Sequence, residues 1–313
     1  MTSDLNPALI VVVGPTAVGK TEFALELAER FQGEIVSADS RLFYMGMDIG
    51  TAKPTQSQLA RVPHHLINVT TPDQNWSLAQ FQQKARQEIS EIQERGHLPF
   101  LVGGTGQYIR AVTQEWDIPR VAPDPTLRTA LEEWSAKIGA QGLHRRLEVI
   151  DPQAASSIDA RNVRRTIRAL EVILSTGKRF SAQKRQSKSP YHLFILGLTR
   201  PRQELYARID ARIEAMLNAG LVNEVQGLLK EYPSDLPAFS AIGYREIILY
   251  LNGKITLEEA ARQIKRNTRI FVRRQANWFK NTDPDIHWLD VVPNIVHEAE
   301  KMIIKWMRER LIY

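Results

Sequence analysis

Residues 9–21 read LIVVVGPTAVGKT, a short run of apolar, mostly β-branched residues that leads into a glycine-rich turn. The run has the composition of a buried strand. The turn itself, Gly14, Pro15, Thr16, Ala17, Val18, Gly19, Lys20 and Thr21, fits the spacing G-x-x-x-x-G-K-[ST]. Each residue type has a physical role in such a turn. Gly14 and Gly19 let the backbone bend so tightly that successive N–H groups converge at a helix N-terminus, where the helix dipole also favours an anion. Lys20 adds a mobile positive charge, and Thr21 offers a hydroxyl suited to a phosphate-bound Mg²⁺. The stretch predicts a phosphate-binding loop between a strand and a helix, not a turn that binds nothing. It leaves open whether the phosphate belongs to a nucleoside triphosphate or to another diphosphate.

Outward from the loop, residues 21–31 read as a helix with Phe23, Ala24, Leu27, Ala28 and Phe31 on one face, closed by Gly33. Residues 34–37 are a second short strand leading to Asp39. Ligands gather at the carboxyl ends of strands in an open α/β sheet, so Asp39 belongs on the same rim as the loop. GMDIGTAKP at residues 46–54 reads as loop, and residues 64–69 as a strand. His64 and His65 have no partner at metal-ligand spacing and read as surface or hydrogen-bonded histidines. Ser77 and Gln80 form a capping box that opens a helix running to about Arg95. Residues 98–102 are a third buried strand, running into a second glycine-rich turn, Gly103, Gly104, Thr105 and Gly106.

After Pro119, Pro123 and Pro125 the patterns are helical only, at residues 126–138, 143–150 and 160–174, until a strand at 191–198. A helical block between two strands of one sheet is an inserted subdomain. Beyond it come helices at 203–219 and 221–231, a long helix from Thr256 whose capping box uses Glu259, a last strand at 287–289 and a terminal helix at 294–310. The expected fold class is α/β: a P-loop NTPase-like parallel sheet flanked by helices, with an inserted all-helical subdomain. Its core is residues 1–119 plus 190–313, and its insert is residues 120–189.

With 313 residues, one large domain with an insertion, or two domains, is expected, and a hydrophobic fraction of 43% suffices for a sizeable core. The absence of cysteine excludes disulfides and thiolate metal sites. The amino-terminal stretch lacks a basic segment and its apolar run is too short for a signal peptide or a membrane span, so a soluble, cytoplasmic protein is expected. The net charge of +6 is unevenly spread. Between Arg161 and Lys188 stand nine basic residues and one acidic, Glu171; between Arg262 and Lys280 stand seven basic and none acidic. Charge runs are commonly solvated helix faces, but such faces normally mix signs, and these two blocks point to nucleic-acid phosphates. In the second block Arg262, Arg266, Arg269 and Arg273 make one stripe while Ile264, Phe271 and Trp278 face a core. Tyr244, Phe271 and Trp278 could stack on bases, with core packing expected for at least two of them.

The motifs GPTAVGKT, SADSRLFYMGMDIGTAKP, LVGGTGQYIRAV, DPTLR, RTIRALEV with STGK, RIDARIEAMLNAGLVNEV, AIGYREI and TRIFVRRQANWF run in order through nearly the whole chain. In this the sequence resembles the bacterial tRNA dimethylallyltransferase (tRNA isopentenyltransferase) family. The GMDIGTAKP run is the most specific of them, since generic nucleotide-binding proteins lack it. Leu42 stands where many relatives have Gln, and Gln107 where Leu is usual. The resemblance implies transfer of a dimethylallyl group from dimethylallyl diphosphate, as co-substrate, to N6 of the adenosine 3′-adjacent to the anticodon in tRNAs reading U-starting codons. The loop at 14–21 would then hold that diphosphate with Mg²⁺, with Thr21 as the protein's contribution to the metal.

The exocyclic amine of adenine is a poor nucleophile, because its lone pair is delocalised into the ring. A general base and a stabilised leaving group are both needed. By resemblance Asp39 is the base, and Lys20, Thr21 and Arg212 hold the diphosphate. Asp39, Ser40, Arg41, Leu42, Thr105, Arg128, Arg164, Arg165, Thr166, Ile167, Arg168, Arg273 and Arg274 match positions toward the tRNA anticodon stem-loop, whose target base would be flipped into a channel between the two domains. A monomer without an obligate protein partner, membrane association or structural metal is expected. The competing readings are a small-molecule P-loop kinase using ATP, an RNA-binding ATPase, and an adenylate isopentenyltransferase acting on free nucleotide. The two basic blocks and the GMDIGTAKP run argue against the kinase, and the basic blocks against the adenylate isopentenyltransferase; the RNA-binding ATPase stays open.

Overall fold

The LIVVV run lies at the centre of a six-stranded sheet. In the computed structural model, which describes residues 7–119, 121–183 and 188–310, strand β1 (Ala8–Val13) leads into helix α1 (Lys20–Arg30) and β2 (Glu34–Ser37). Then come α2 (Gln56–Arg61), β3 (His64–His65), α3 (Leu78–Glu94), β4 (Pro99–Val102) and α4 (Gly106–Thr113). The next stretch is all-helical, α5 (Pro125–Ile150), α6 (Pro152–Ser157) and α7 (Val163–Thr176). The chain re-enters the sheet at β5 (His192–Thr199) and continues through α8 (Arg202–Asn218), α9 (Leu221–Glu231), α10 (Tyr244–Leu251), α11 (Leu257–Gln275), β6 (Ile286–Asp290) and α12 (Ile295–Arg310). The strand order is β3-β2-β4-β1-β5-β6, and every pairing is parallel.

The chain divides into two compact units, residues 1–113 with 189–313 and residues 114–188. In the first, β1 shows the two-residue period of a strand buried on both faces. Ile10 and Val12 pack with α1, α8, α10, α11 and α12 on one side, while Leu9, Val11 and Val13 pack with Phe81, Ala85, Ile89 and Ile92 of α3 on the other. The second unit has its own core, built on Leu131, Leu143, Leu147, Ile167, Leu170 and Ile173. Among the described residues no helix is long and apolar enough to cross a membrane.

Several expectations are corrected. The strand expected at 64–69 is confined to His64–His65, because Leu66 (φ 61°) and Asn68 (φ 55°) adopt left-handed backbone that cannot continue a ladder. Helix α5 covers both helices expected at 126–138 and 143–150, with Gly139 (φ 75°, ψ 162°) breaking the helical path between them. Helix α7 begins at Val163 because the Asn162 side chain accepts from the Arg165 N–H and caps it there. The box at Ser77 and Gln80 is complete in both directions. At Thr256 only half forms: its hydroxyl accepts from the Glu259 N–H, while the Glu259 carboxylate turns to Arg262 and Gln263. Phe271 does not face the core but is 41% exposed, since the buried side of α11 is Ala260, Ile264, Val272 and Gln275. Arg120, Lys184 and Arg185 lie outside the described residues.

Candidate active site

The loop after β1 sits where the sheet's connections diverge, beside β5 and below the start of α1. Gly14 has φ +148°, and a Cβ there would stand 2.8 Å from the Leu198 carbonyl oxygen of β5. Only glycine lets the chain turn so close to the neighbouring strand. Gly19 is the left-handed N-cap of α1 and offers no side-chain cap, which keeps the first N–H groups of the helix open to an anion. The Lys20 Nζ curls back over the loop and donates to the carbonyl oxygens of Gly14 (3.0 Å) and Pro15 (2.9 Å). Burial pushes the Lys20 ammonium down to about 8, opposed by the Asp39 charge and reinforced by that of Arg212.

More cations arrive from the segment after β5. Arg200 donates through Nε to the Val18 carbonyl (2.8 Å) and pairs with Glu204. Arg208 on α8 donates through Nε to the Ala17 carbonyl (2.9 Å). One turn on, Arg212 reaches the Thr51 carbonyl (3.5 Å); burial lowers its pKa, with Asp39 opposing and Arg208 adding to the effect. Asp39 stands opposite, just beyond β2. Its Oδ1 accepts from the Arg41 N–H (3.0 Å), while Oδ2 has no hydrogen-bond partner among the described residues.

Lys20, Thr21 and Asp39 line one small cavity of about 60 Å³. Its inner wall is largely apolar, from Ala24, Ile35, Leu42, Ile67 and Val102, interrupted by Ser37 and His64. Ile35, Ser37 and Asp39 alternate along the β2 segment and so share one face. His64 pairs in register with Ile35, its Nδ1 donates to the Val62 carbonyl (2.7 Å), and burial lowers its pKa. A charged rim above an apolar wall suits a small apolar group carried on a diphosphate.

The surrounding loops are pinned by Glu224, Lys53 and Gln275, for which the sequence alone predicts no role. The Glu224 carboxylate of α9 accepts from the backbone N–H groups of Asp48 (3.0 Å), Ile49 (2.7 Å) and Gly50 (3.1 Å), and from the Tyr244 hydroxyl (2.5 Å). The GMDIGTAKP run is thus wrapped around one carboxylate, and Tyr244 is core. Lys53, in the same run, donates to the Tyr44 carbonyl and to Asp48 and Asn68. Gln275 bonds to Thr16 and Gly104, joining the two glycine-rich turns. Lys53 and Gln275 fall within the GMDIGTAKP and TRIFVRRQANWF motifs, but nothing in the sequence shows their partners. Nearby, the Ser40 N–H donates to Thr105 Oγ1 (3.5 Å), and Arg41 reaches Ala238 and Ser240.

In the second unit, Arg164 and Arg165 are exposed at the start of α7 without an acidic partner among the described residues. Thr166 and Ile167 are buried in that unit's core, which corrects the expectation that they face RNA. Arg128 and Arg168 both grip buried Glu171, at 2.9 and 2.6 Å, and the Asp124 N–H donates to the same carboxylate (2.8 Å), which is held below the usual range against its own burial. On α11 the stripe is partly neutralised: Arg262 pairs with Glu259, Lys265 with Glu214 and Arg269 with Asp210. Arg266, Arg273 and Arg274 are exposed without an acidic partner among the described residues.

Among the described residues no cluster of three or more His, Asp or Glu could hold a metal unaided. The Thr21 hydroxyl on this cavity is a hard oxygen, which fits Mg²⁺ held chiefly by phosphate and water.

The IPP transferase family model matches residues 42–282. The chain belongs to the IPP transferase family. A tRNA dimethylallyltransferase from Roseiflexus sp. (strain RS-1) is 52% identical over 301 residues, covering 96% of this chain and 98% of that one. One from Moorella thermoacetica is 46% identical over 310 residues, covering 96% of this chain and 95% of that one. Among solved structures of similar fold, the full-length tRNA isopentenylpyrophosphate transferase from Bacillus halodurans is 43% identical with a TM-score of 0.73, covering 97% of each chain. A eukaryotic dimethylallyltransferase acting on tRNA is 25% identical with a TM-score of 0.84, covering 97% of this chain and 80% of that one. The solved relatives thus share the α/β framework of this family member.

Proposed function

We propose that this member of the IPP transferase family is a tRNA dimethylallyltransferase that moves the dimethylallyl group of dimethylallyl diphosphate to N6 of the adenosine 3′-adjacent to the anticodon. The observation that carries the reading is that Lys20, Thr21 and Asp39 share one cavity, with Arg212 close enough that its charge acts on both Lys20 and Asp39. Cation and carboxylate thus face each other across a space with an apolar wall.

In this reading the loop from Gly14 to Thr21 holds the diphosphate through its N–H groups, and Lys20 and Arg212 neutralise the charge that grows on it as the C1–O bond breaks. N6 attacks C1, and Asp39 Oδ2 takes the amine proton, so the reaction ends with one C–N bond, free diphosphate and a protonated carboxyl. Thr21 would hold Mg²⁺, which supplies charge neutralisation on the diphosphate when bound. The RNA engages Ser40, Arg41, Leu42 and Thr105 near Asp39, together with Arg164, Arg165, Arg273 and Arg274 on exposed basic faces. Arg128 and Arg168 add charge fixed by Glu171. The enzyme is taken to work in the cytoplasm as a monomer.

The test mixes purified protein with radiolabelled dimethylallyl diphosphate, Mg²⁺ and unmodified tRNA reading codons that begin with U. Label on the RNA is the expected result. Label on AMP alone, or ATP turnover without prenyl transfer, would sink the reading.

A further inference from the structure

Gln275 is the last residue of α11 and is 6% exposed, although its neighbours Arg273 and Arg274 are open to solvent. Its amide is used in both directions. Oε1 accepts from the Thr16 N–H (2.9 Å), in the middle of the first glycine-rich loop, and Nε2 donates to the Gly104 carbonyl (3.1 Å), in the second. The fit is close: a Cβ on Gly104 would stand 2.4 Å from Gln275 Nε2 and 3.3 Å from the Gly14 carbonyl oxygen. The two turns and the end of α11 therefore meet at one side chain. The Pro15–Thr16 peptide that Gln275 holds by its N–H is held by Lys20 at its carbonyl, Pro15 O, with Gly14 O bonded to the same ammonium. A second brace lies just past the helix, where Arg110 Nη2 donates to the Trp278 carbonyl (2.6 Å) and Trp278 packs on Gly106.

Successive residues of a helix point about 100° apart. Arg273 and Arg274 thus project away from the side that carries Gln275, yet they share its turn and move with it. The turn that carries the two arginines is therefore bonded to Thr16 and Gly104 through one side-chain amide. A buried amide released from both partners would leave two donors and two acceptors without their bonds, which favours the joined arrangement.

We propose that Gln275 is a positioning residue that couples RNA bound at Arg273 and Arg274 to the diphosphate loop, so that each ligand tightens the other. This rests on the assignment of those arginines to RNA and of residues 14–21 to diphosphate. The first ligand orders the end of α11 and the loop together, and the second binds to a loop whose ordering cost is already met. By linkage the effect is reciprocal, and couplings of this kind typically amount to about 5- to 150-fold in affinity.

The experiment titrates inorganic diphosphate with Mg²⁺ into the full-length protein by calorimetry, with and without a saturating unmodified anticodon stem-loop, at fixed salt. Wild type is expected to bind diphosphate at least about fivefold more tightly when RNA is present. Gln275→Met, which keeps the side chain's length but removes both bonds, is expected to bring that ratio to about one. Its RNA affinity without diphosphate should stay within about threefold of wild type, since Arg273 and Arg274 remain. In turnover, its KM for dimethylallyl diphosphate should rise more than its kcat falls. A wild-type ratio near one, or an unchanged ratio in the variant, overturns the proposal. Should Gln275→Met unfold at assay temperature, Gln275→Asn gives the same readout, because its uncharged amide is one methylene too short to hold Thr16 and Gly104 together. Coupling is read from binding alone, so loss of coupling and failure of prenyl transfer to RNA are separate results.

Discussion

Asp39 and Lys20 show how little of a residue's chemistry resides in its type. Lys20 is drawn down to about 8 by burial, and the carboxylate that partly restores it comes from a different strand. Removing Asp39 as Asp39→Asn keeps the shape of the site and removes the base. The expected outcome in single-turnover assays is a fall of about 10²- to 10⁴-fold in the rate of prenyl transfer, with tRNA affinity nearly unchanged. An equal loss of affinity and rate would move Asp39 from base to RNA contact. Glu224 belongs at the same scale. Three backbone N–H groups and the Tyr244 hydroxyl converge on one carboxylate, and burial, together with the coupling to it, raises the Tyr244 pKa well beyond its ordinary value. Glu224→Gln turns one acceptor oxygen into a donor facing other donors. We expect it to cost about 1–3 kcal/mol, read as a lower urea midpoint at an unchanged slope.

At the scale of elements, α7 and α11 are amphipathic helices whose outer faces have different fates. On α11 three of the basic residues are tied to Glu259, Glu214 and Asp210, and the free charge gathers at Arg266, Arg273 and Arg274. On α7 the free pair is Arg164 and Arg165, while Arg168 is bent back with Arg128 onto Glu171. The double reversal Arg164→Glu with Arg165→Glu should therefore act on RNA alone. It is expected to weaken tRNA binding and to reduce the slope of log K against log salt by about 2, with diphosphate affinity unaltered. Filter binding across a salt series checks it, and an unchanged slope would remove this pair from the RNA-binding face. The same two helices show why short elements escaped a reading by periodicity. α7 and α11 carry several turns of pattern, whereas α2 and α6 have six residues each and α4 and α10 eight, too few to show a period.

At the scale of the whole molecule, the far end of the sheet is held by a charge network around Glu34. Its buried carboxylate receives Arg95, His97 and His65, and the other ring nitrogen of His65 faces Glu88. Those partners outweigh burial and hold Glu34 down to about 2 from an ordinary value of 4.5. A carboxylate depressed in the folded state stabilises above its unfolded pKa and loses that contribution as pH falls toward the folded one. The contribution, about 3 kcal/mol at neutral pH, should be present above pH ~4.5 and fade toward pH ~2. Thermal melts of wild type and Glu34→Gln should differ widely at pH 7 and converge across that window; a gap that does not shrink would show that the charge of Glu34 is not what stabilises the fold. No signal in the sequence draws His65, Arg95 and His97 to Glu34, because they lie on separate elements and meet only once β2, β3 and the end of α3 are side by side. The loop at residues 14–21, the strand before it and the α/β class were legible because each depends on local conformational limits: glycine's freedom at positive φ, the β-branched preference for strands and the helical period of apolar residues. The strand expected at 64–69 ends at His65 because Leu66 and Asn68 take left-handed backbone, which their residue types do not announce. Local sequence thus determined which segments form strands and helices and where the anion cradle lies. Tertiary structure alone decided what faces it: Asp39 and Arg212 beside Lys20, Glu224 under the GMDIGTAKP run and Gln275 between the two glycine-rich turns. Such meetings depend on strand order and packing across the sheet, which bring distant residues within the few ångströms at which charges and hydrogen bonds act.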